Sequence, residues 1–331
     1  MKIGINTDGF GTLPLASMLD RVAELGLSHV EFGLGGWSSA PHADIGALLG
    51  SDTARDRLMG MLRERGLQIS ALNCSGNPLH PGPTGREDAR LARDTLELAS
   101  LLGVGRIVMM SGLPAGNATD SCPNWITSSW PLEALEMVEW QWHERVLPFW
   151  REHAQEAERR GLRLCIENHG RQCVYNVETY LRLRDAVGPV LGMNFDPSHL
   201  IWMGGDPVSA IEALGAGHIY HVHGKDTRIE PVARVNGTLD DKHVTPVGLR
   251  SWNFVPLGHG LSRRGWRDIV DALRRIGYDD VISIENEDYT LESSEAIRDS
   301  VETLRFAIWH GGPTSRTGGC LPPAPPEDIS T

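Results

Sequence analysis

Along this chain, short runs of apolar and β-branched residues alternate with longer stretches in which apolar positions recur every three or four residues. That is the pattern of strand–helix units built around a parallel sheet. Eight runs, at 2–6, 28–32, 67–73, 104–110, 162–168, 190–196, 217–223 and 280–286, are expected to be strands. Helices are expected near 14–25, 52–65, 86–102, 133–160, 176–186, 206–215, 265–276 and 293–309. Five of them run into a glycine, at Gly26, Gly66, Gly103, Gly161 and Gly277. Glycine adopts the left-handed conformation that ends a helix at little cost. Repetition of the unit predicts an α/β fold, a (β/α)8 barrel.

The connections are asymmetric. Helix ends lie close to the next strand, whereas the segments after the strands are long and hold most of the unusual residues. In such a barrel the loops after the strands build the functional face. Residues 111–132, with Trp125 and Trp130, and the irregular stretch 224–264 stand out. One barrel is expected to occupy 1–310, and the Gly-, Pro- and Ser-rich stretch 311–331 is read as a tail that packs on nothing or on a partner subunit.

Composition narrows the function. The 331 residues are 40% hydrophobic and 22% charged, as in an ordinary globular protein. A formal net charge of −12 disfavours nucleic acid as a partner, because non-specific affinity for it comes from Lys and Arg neutralising phosphates. Strand-like sequence begins at Lys2, with no leader-like apolar run, and no stretch approaches the length needed to span a bilayer. Cys74, Cys122, Cys165, Cys173 and Cys320 are odd in number and lack a CxxC pair. Reduced thiols and a cytoplasmic location are the expectation, with no membrane partner.

Four metal-ligand side chains fall at the ends of four different expected strands: Glu167 in Cys165-Ile166-Glu167-Asn168-His169, Asp196 in Asn194-Phe195-Asp196-Pro197-Ser198-His199, His223 in His221-Val222-His223-Gly224-Lys225-Asp226, and Glu285 in Ser283-Ile284-Glu285-Asn286. A barrel brings strand ends to one mouth, where three carboxylates repel one another unless a cation or bound protons neutralise them. The alternative is that each acid caps the following helix. His221 shares a strand face with His223 one layer deeper, as a hydrogen-bonding or core histidine.

These four runs, in this order, resemble the superfamily of xylose-isomerase-like barrels that includes ketose 3-epimerases, inosose isomerases and dehydratases, and hydroxypyruvate isomerases. The resemblance spans about residues 1–310. It implies that Glu167, Asp196, His223 and Glu285 hold one divalent ion, and that His199 binds substrate. Mn²⁺ is expected because hard oxygen donors outnumber nitrogen, with Mg²⁺, Co²⁺ and Zn²⁺ as alternatives. A metal bound by a hydroxyl and an adjacent carbonyl acidifies the intervening C–H and stabilises an enediolate, while Glu167 and Glu285 act as base and acid.

Other residues have two readings each. His169 contacts substrate, carries a proton or makes a loop hydrogen bond; Lys225 binds substrate or pairs with Asp226. Arg228 stands one residue before Ile229, the position at which some epimerases of the superfamily carry an arginine, and joins His199, Lys225 and Trp125 as an expected substrate contact. The loop tryptophans Trp37, Trp125, Trp130, Trp202 and Trp252 stack on sugar or anchor loops.

The expected activity is metal-dependent isomerisation or epimerisation of a small carbohydrate, by proton transfer next to a carbonyl. A lyase acting on a 3-keto sugar, 3-keto glycoside or inosose is the alternative, with His169 or His259 as the acid over the leaving group. DNA-repair nucleases that share the barrel use several metals and a basic face, which the acidic balance opposes. The lack of a glycine-rich phosphate cradle favours an unphosphorylated sugar. A tail that packs on a partner subunit would make the protein a homo-oligomer.

Overall fold

A computed structural model describes residues 1–310, so the expected tail at 311–331 lies outside the described residues. Eight strands close a barrel: β1 (Lys2–Asn6), β2 (His29–Gly33), β3 (Gln68–Asn73), β4 (Arg106–Met109), β5 (Arg163–Glu167), β6 (Leu191–Phe195), β7 (Ile219–Gly224) and, after a separate hairpin of β8 (Asp226–Ile229) and β9 (Trp252–Val255), β10 (Val281–Ile284). Every barrel pair is parallel, and β1 closes the ring by pairing with both β2 and β10. The (β/α)8 expectation is met.

The helices are α1 (Leu15–Glu24), α2 (Ile45–Gly50), α3 (Asp52–Glu64), α4 (Pro83–Leu102), α5 (Glu133–Gln141), α6 (Leu147–Arg159), α7 (Val177–Val187), α8 (Pro197–Trp202), α9 (Pro207–Leu214), α10 (Ala233–Asn236), α11 (Arg263–Arg275) and α12 (Ser293–His310). The five glycines expected to stop helices all have positive φ, from 65° at Gly26 and Gly66 to 85° at Gly277. Trp150, Trp266, Tyr180, Phe32 and Phe195 are fully buried in the main apolar cluster.

The sequence pattern misses several features, among them short α2 and α10. The helix expected over 133–160 is interrupted by a wide π turn at Trp142–Val146, in which the Leu147 N–H reaches back to the Trp142 carbonyl. Pro148, which has no N–H to offer, follows immediately. The stretch 224–264 contains the antiparallel β8–β9 hairpin, and short α8 begins directly after β6.

Candidate metal centre and substrate cleft

The polar residues that end β5, β6, β7 and β10 meet inside the barrel mouth. His223 Nδ1 lies 3.2 Å from Glu167 Oε2, 3.3 Å from Glu285 Oε2 and 4.0 Å from Asp196 Oδ2. One donor atom from each of the four residues lies within 4.8 Å of every other, a spacing that could hold a metal ion. The helix-cap alternative holds for one residue only, and only for half of it. Asp196 Oδ1 accepts from Ser198 N at 2.8 Å and caps α8, while Oδ2 is buried without a hydrogen-bond partner.

The donor set fits a cation. Asp196 Oδ2, His223 Nδ1 and His199 Nε2 are all buried polar atoms that lack a hydrogen bond, an arrangement that is costly unless something else satisfies them. Burial, reinforced by Glu167 and Glu285 against Lys225, pushes Asp196 up to about 8. Burial also raises Glu285, but His223 and Lys225 outweigh it and hold that carboxyl at about 2. For His223, burial disfavours charge, yet Glu285, Glu31 and Glu167 keep it protonated well above the usual imidazole range. The cluster therefore holds protons that a divalent ion would replace.

Sequence reasoning overlooked Glu31. Fully buried on β2, it lies 3.0 and 3.2 Å from His223 Nε2 and accepts from Asn73 Nδ2 at 2.8 Å. A carboxylate at Nε2 turns Nδ1 toward Glu167, Asp196 and Glu285, where its lone pair would face an ion once the ring loses its second proton. The available signal was an acid in an otherwise apolar strand, Val30-Glu31-Phe32. His221 sits one layer deeper, as expected, with Nδ1 2.9 Å from Asn194 Oδ1, while Asn194 Nδ2 donates to Glu167 Oε2 at 3.0 Å.

Two cavities adjoin the cluster. A tight, polar one of about 100 Å³ is lined by Glu167, Glu285, Lys225, His169 and Trp37, among others. A wider one of about 860 Å³ is lined by His169, His199, Trp125, Trp202, Trp252 and Phe254, among others. His169 faces both, its ring 3.9 Å from that of His199 and 5.4 Å from that of Trp37. Burial and then the neighbouring His199 push His169 down to about 3, and its Nδ1 contacts the Gly170 carbonyl. Trp202 Nε1 donates to His199 Nδ1 at 3.3 Å, which leaves Nε2 of His199 carrying the proton.

Lys225 pairs not with Asp226 but with Glu285 at 3.0 Å and Glu287 at 2.9 Å. Asp226 instead accepts from Trp266 Nε1 at 2.9 Å and from the backbone of Gly258 and Leu261. Arg228 is drawn to Glu230 at 2.7 Å on the β8–β9 hairpin and lines neither cavity. His259 likewise lines neither, lying 3.0 Å from Asp299. Trp130 is 74% exposed and away from the cleft.

A closed parallel barrel with an acid–imidazole cluster at the C-terminal ends of its strands defines a barrel protein built around a metal site. The chain belongs to the xylose isomerase-like TIM barrel family, whose model matches residues 19–307. It is 44% identical over 312 residues to the uncharacterized protein YfiH of Bacillus subtilis, covering 93% of this chain and 99% of that one. Among solved structures it is similar to an IOLI protein with a bound zinc atom, with TM-score 0.65, 19% identity and coverage of 95% and 100%. It is also similar to AsbF of Bacillus anthracis, described as a probable 3-DHS dehydratase, with TM-score 0.64, 17% identity and coverage of 92% and 99%. At those identities the structures speak to the fold. No described helix is long and apolar enough to cross a membrane.

Proposed function

We propose that this protein is a divalent-metal-dependent sugar isomerase or epimerase that moves a proton on a carbon next to a carbonyl. The observation that carries the reading is a division of labour within the cluster. Glu167 and Glu285 line the small cavity, whereas Asp196 and His223 do not. Two of the four candidate ligands thus also face the space where a substrate carbon would sit.

A divalent ion held by Glu167, Asp196, His223 and Glu285 would supply the charge that acidifies the C–H beside the carbonyl. Lys225 and Asn6, which donate to Glu285 at 3.0 and 3.3 Å, hold that carboxylate ionised and oriented. Asn194 does the same for Glu167. One glutamate removes the proton and the other returns one on the opposite face. His199 Nε2–H, 3.4 Å from Glu167 Oε1 and 3.5 Å from Asp196 Oδ2, would donate to the carbonyl oxygen. Trp125 lines the wide cavity and packs near the remainder of the substrate.

Elimination from a 3-keto sugar or glycoside is the second reading, favoured by the 860 Å³ cavity, which leaves space for a departing group. Its candidate acids are poorly suited. His169 is held neutral with Nδ1 at a carbonyl, and His259 is tied to Asp299. Mn²⁺ is our choice of metal because three of the four donors are carboxylates. A reducing cytoplasm is our choice of location, supported by the free thiols of Cys74, Cys122, Cys165 and Cys173. The exposed apolar side chains of Trp130 and Leu132 suit a homo-oligomer.

The test is incubation of Mn²⁺-loaded protein with keto sugars and 3-keto glycosides in D₂O. Deuterium uptake without release of a group is expected; release identifies the lyase, and neither outcome across the panel rejects both readings. Glu167→Gln and Glu285→Gln should each lower kcat and kcat/KM together, by about 10²-fold or more, with metal content measured in the same samples. Near-normal turnover in both metal-loaded variants would exclude carboxylate proton transfer.

A further inference from the structure

The wide cavity contains a cation that no carboxylate among the described residues pairs with. Arg250 leads into β9, is only 6% exposed and lines the cavity beyond His169 and His199. Its guanidinium lies 4.4 Å over the Trp252 ring, and Trp252 stacks on Trp202 at 4.9 Å with 8° between the planes. Among the described residues no carboxylate lies within ion-pair distance of Arg250, and its Nε is buried without a hydrogen-bond partner.

One acidic side chain of the same cavity is already engaged. Asp240 lines the same cavity, but its Oδ1 holds Lys242 Nζ at 2.7 Å and its Oδ2 accepts from Ser251 N at 2.6 Å. Asp241 and Arg171 complete the charged lining. A second donor, Trp125 Nε1, is also buried there without a partner. A buried guanidinium left unpaired is expensive, and its planar fork matches the oxygens of a carboxylate or phosphate.

We propose that this cavity is an anion subsite: the substrate carries a carboxylate or phosphate on the portion that extends past His169 and His199, and Arg250 holds it. The proposal rests on the reading that the reacting carbonyl sits at the Glu167–Glu285 end. It then assigns an orientation as well as a substrate class. Arg250 draws the anionic end to the side of the cleft away from Glu167 and Glu285, which line the other cavity. Trp125 Nε1 donates to a neutral oxygen along the way. This departs from the unphosphorylated sugar favoured by sequence alone, because a side chain rather than a glycine-rich loop supplies the recognition.

Calorimetric titration of the full chain loaded with Mn²⁺ tests it with two matched pairs of probes, D-fructose against D-fructose 6-phosphate and D-glucose against D-glucuronate. At least one charged probe should bind about tenfold or more tightly than its neutral partner, and the preferred arm identifies phosphate or carboxylate. Arg250→Met should abolish that preference, and Arg250→Lys, which keeps charge but loses the fork, should retain only part of it. Asp196→Ala, which removes a candidate metal ligand, should leave the preference intact. Parity in both arms, persistence of the preference in Arg250→Met, or its loss in Asp196→Ala would each overturn the subsite. Because the Asp196→Ala arm reads binding without metal-dependent turnover, failure of the proton-transfer reading and failure of the subsite give different results.

Discussion

At the scale of single residues, the candidate centre depends on a side chain that contacts no proposed substrate. Glu31 meets His223 Nε2 at 3.0 Å and so decides which imidazole nitrogen faces the carboxylates. Replacing it by Gln keeps the shape but weakens the hold on the tautomer. Mn²⁺ affinity measured by titration should fall by about 10- to 100-fold in Glu31→Gln, and unchanged affinity would mean that packing alone orients the ring. Glu167, Asp196, His223 and Glu285 were legible in the sequence because each ends an apolar strand and is followed by a polar loop. Glu31 broke that rule: Phe32 and Gly33 continue the strand beyond it, so the acid reads as an interior strand position. Arg250 was illegible for another reason. Its meaning lies in what fails to pair with it, and a partner's absence has no signature in a one-dimensional pattern.

At the scale of elements, the eight barrel strands were legible from β-branched runs, and their helices from period and glycine stops. The β8–β9 hairpin was not. Its first strand reads Asp226-Thr227-Arg228-Ile229, too polar and too short to stand out, and its partner begins at Trp252 across a long loop. Pairing at that separation is settled by tertiary context. Packing inside the barrel sets a sharper limit on β6. A methyl group added at Gly192 would lie 2.1 Å from Tyr220 Cδ2. The ring has little freedom to yield, because its hydroxyl contacts the Pro189 carbonyl and Arg163 lies 4.9 Å over its face. Gly192→Ala should therefore cost about 1–3 kcal/mol, read as a lower urea midpoint with an unchanged slope. An unshifted midpoint would show that Tyr220 swings aside without loss.

For the whole molecule, the acid cluster is a point of internal repulsion that a bound ion would relieve. An ion that binds only the folded chain raises the thermal midpoint. Asp196, pushed up to about 8, and His223, held well above the ordinary imidazole range, are both protonated at pH 6 and must release protons to bind metal. Saturating Mn²⁺ should therefore stabilise the protein more at pH 8 than at pH 6, and Asp196→Ala should respond at neither. An equal shift at both pH values would place the ion elsewhere. The ring closure of β1 on β10 has a consequence in time. The Met1 amine pairs with Asp279, 278 positions along the chain, and the Glu285 N–H reaches the Gly224 carbonyl at 3.1 Å. Contacts of such long range form late and slowly. During synthesis, a nascent chain that has emerged through β7 already carries Glu167, Asp196 and His223 but has nothing to shut the barrel. The four candidate ligands then come together only with the last strand, so the candidate centre would be completed in the final act of folding.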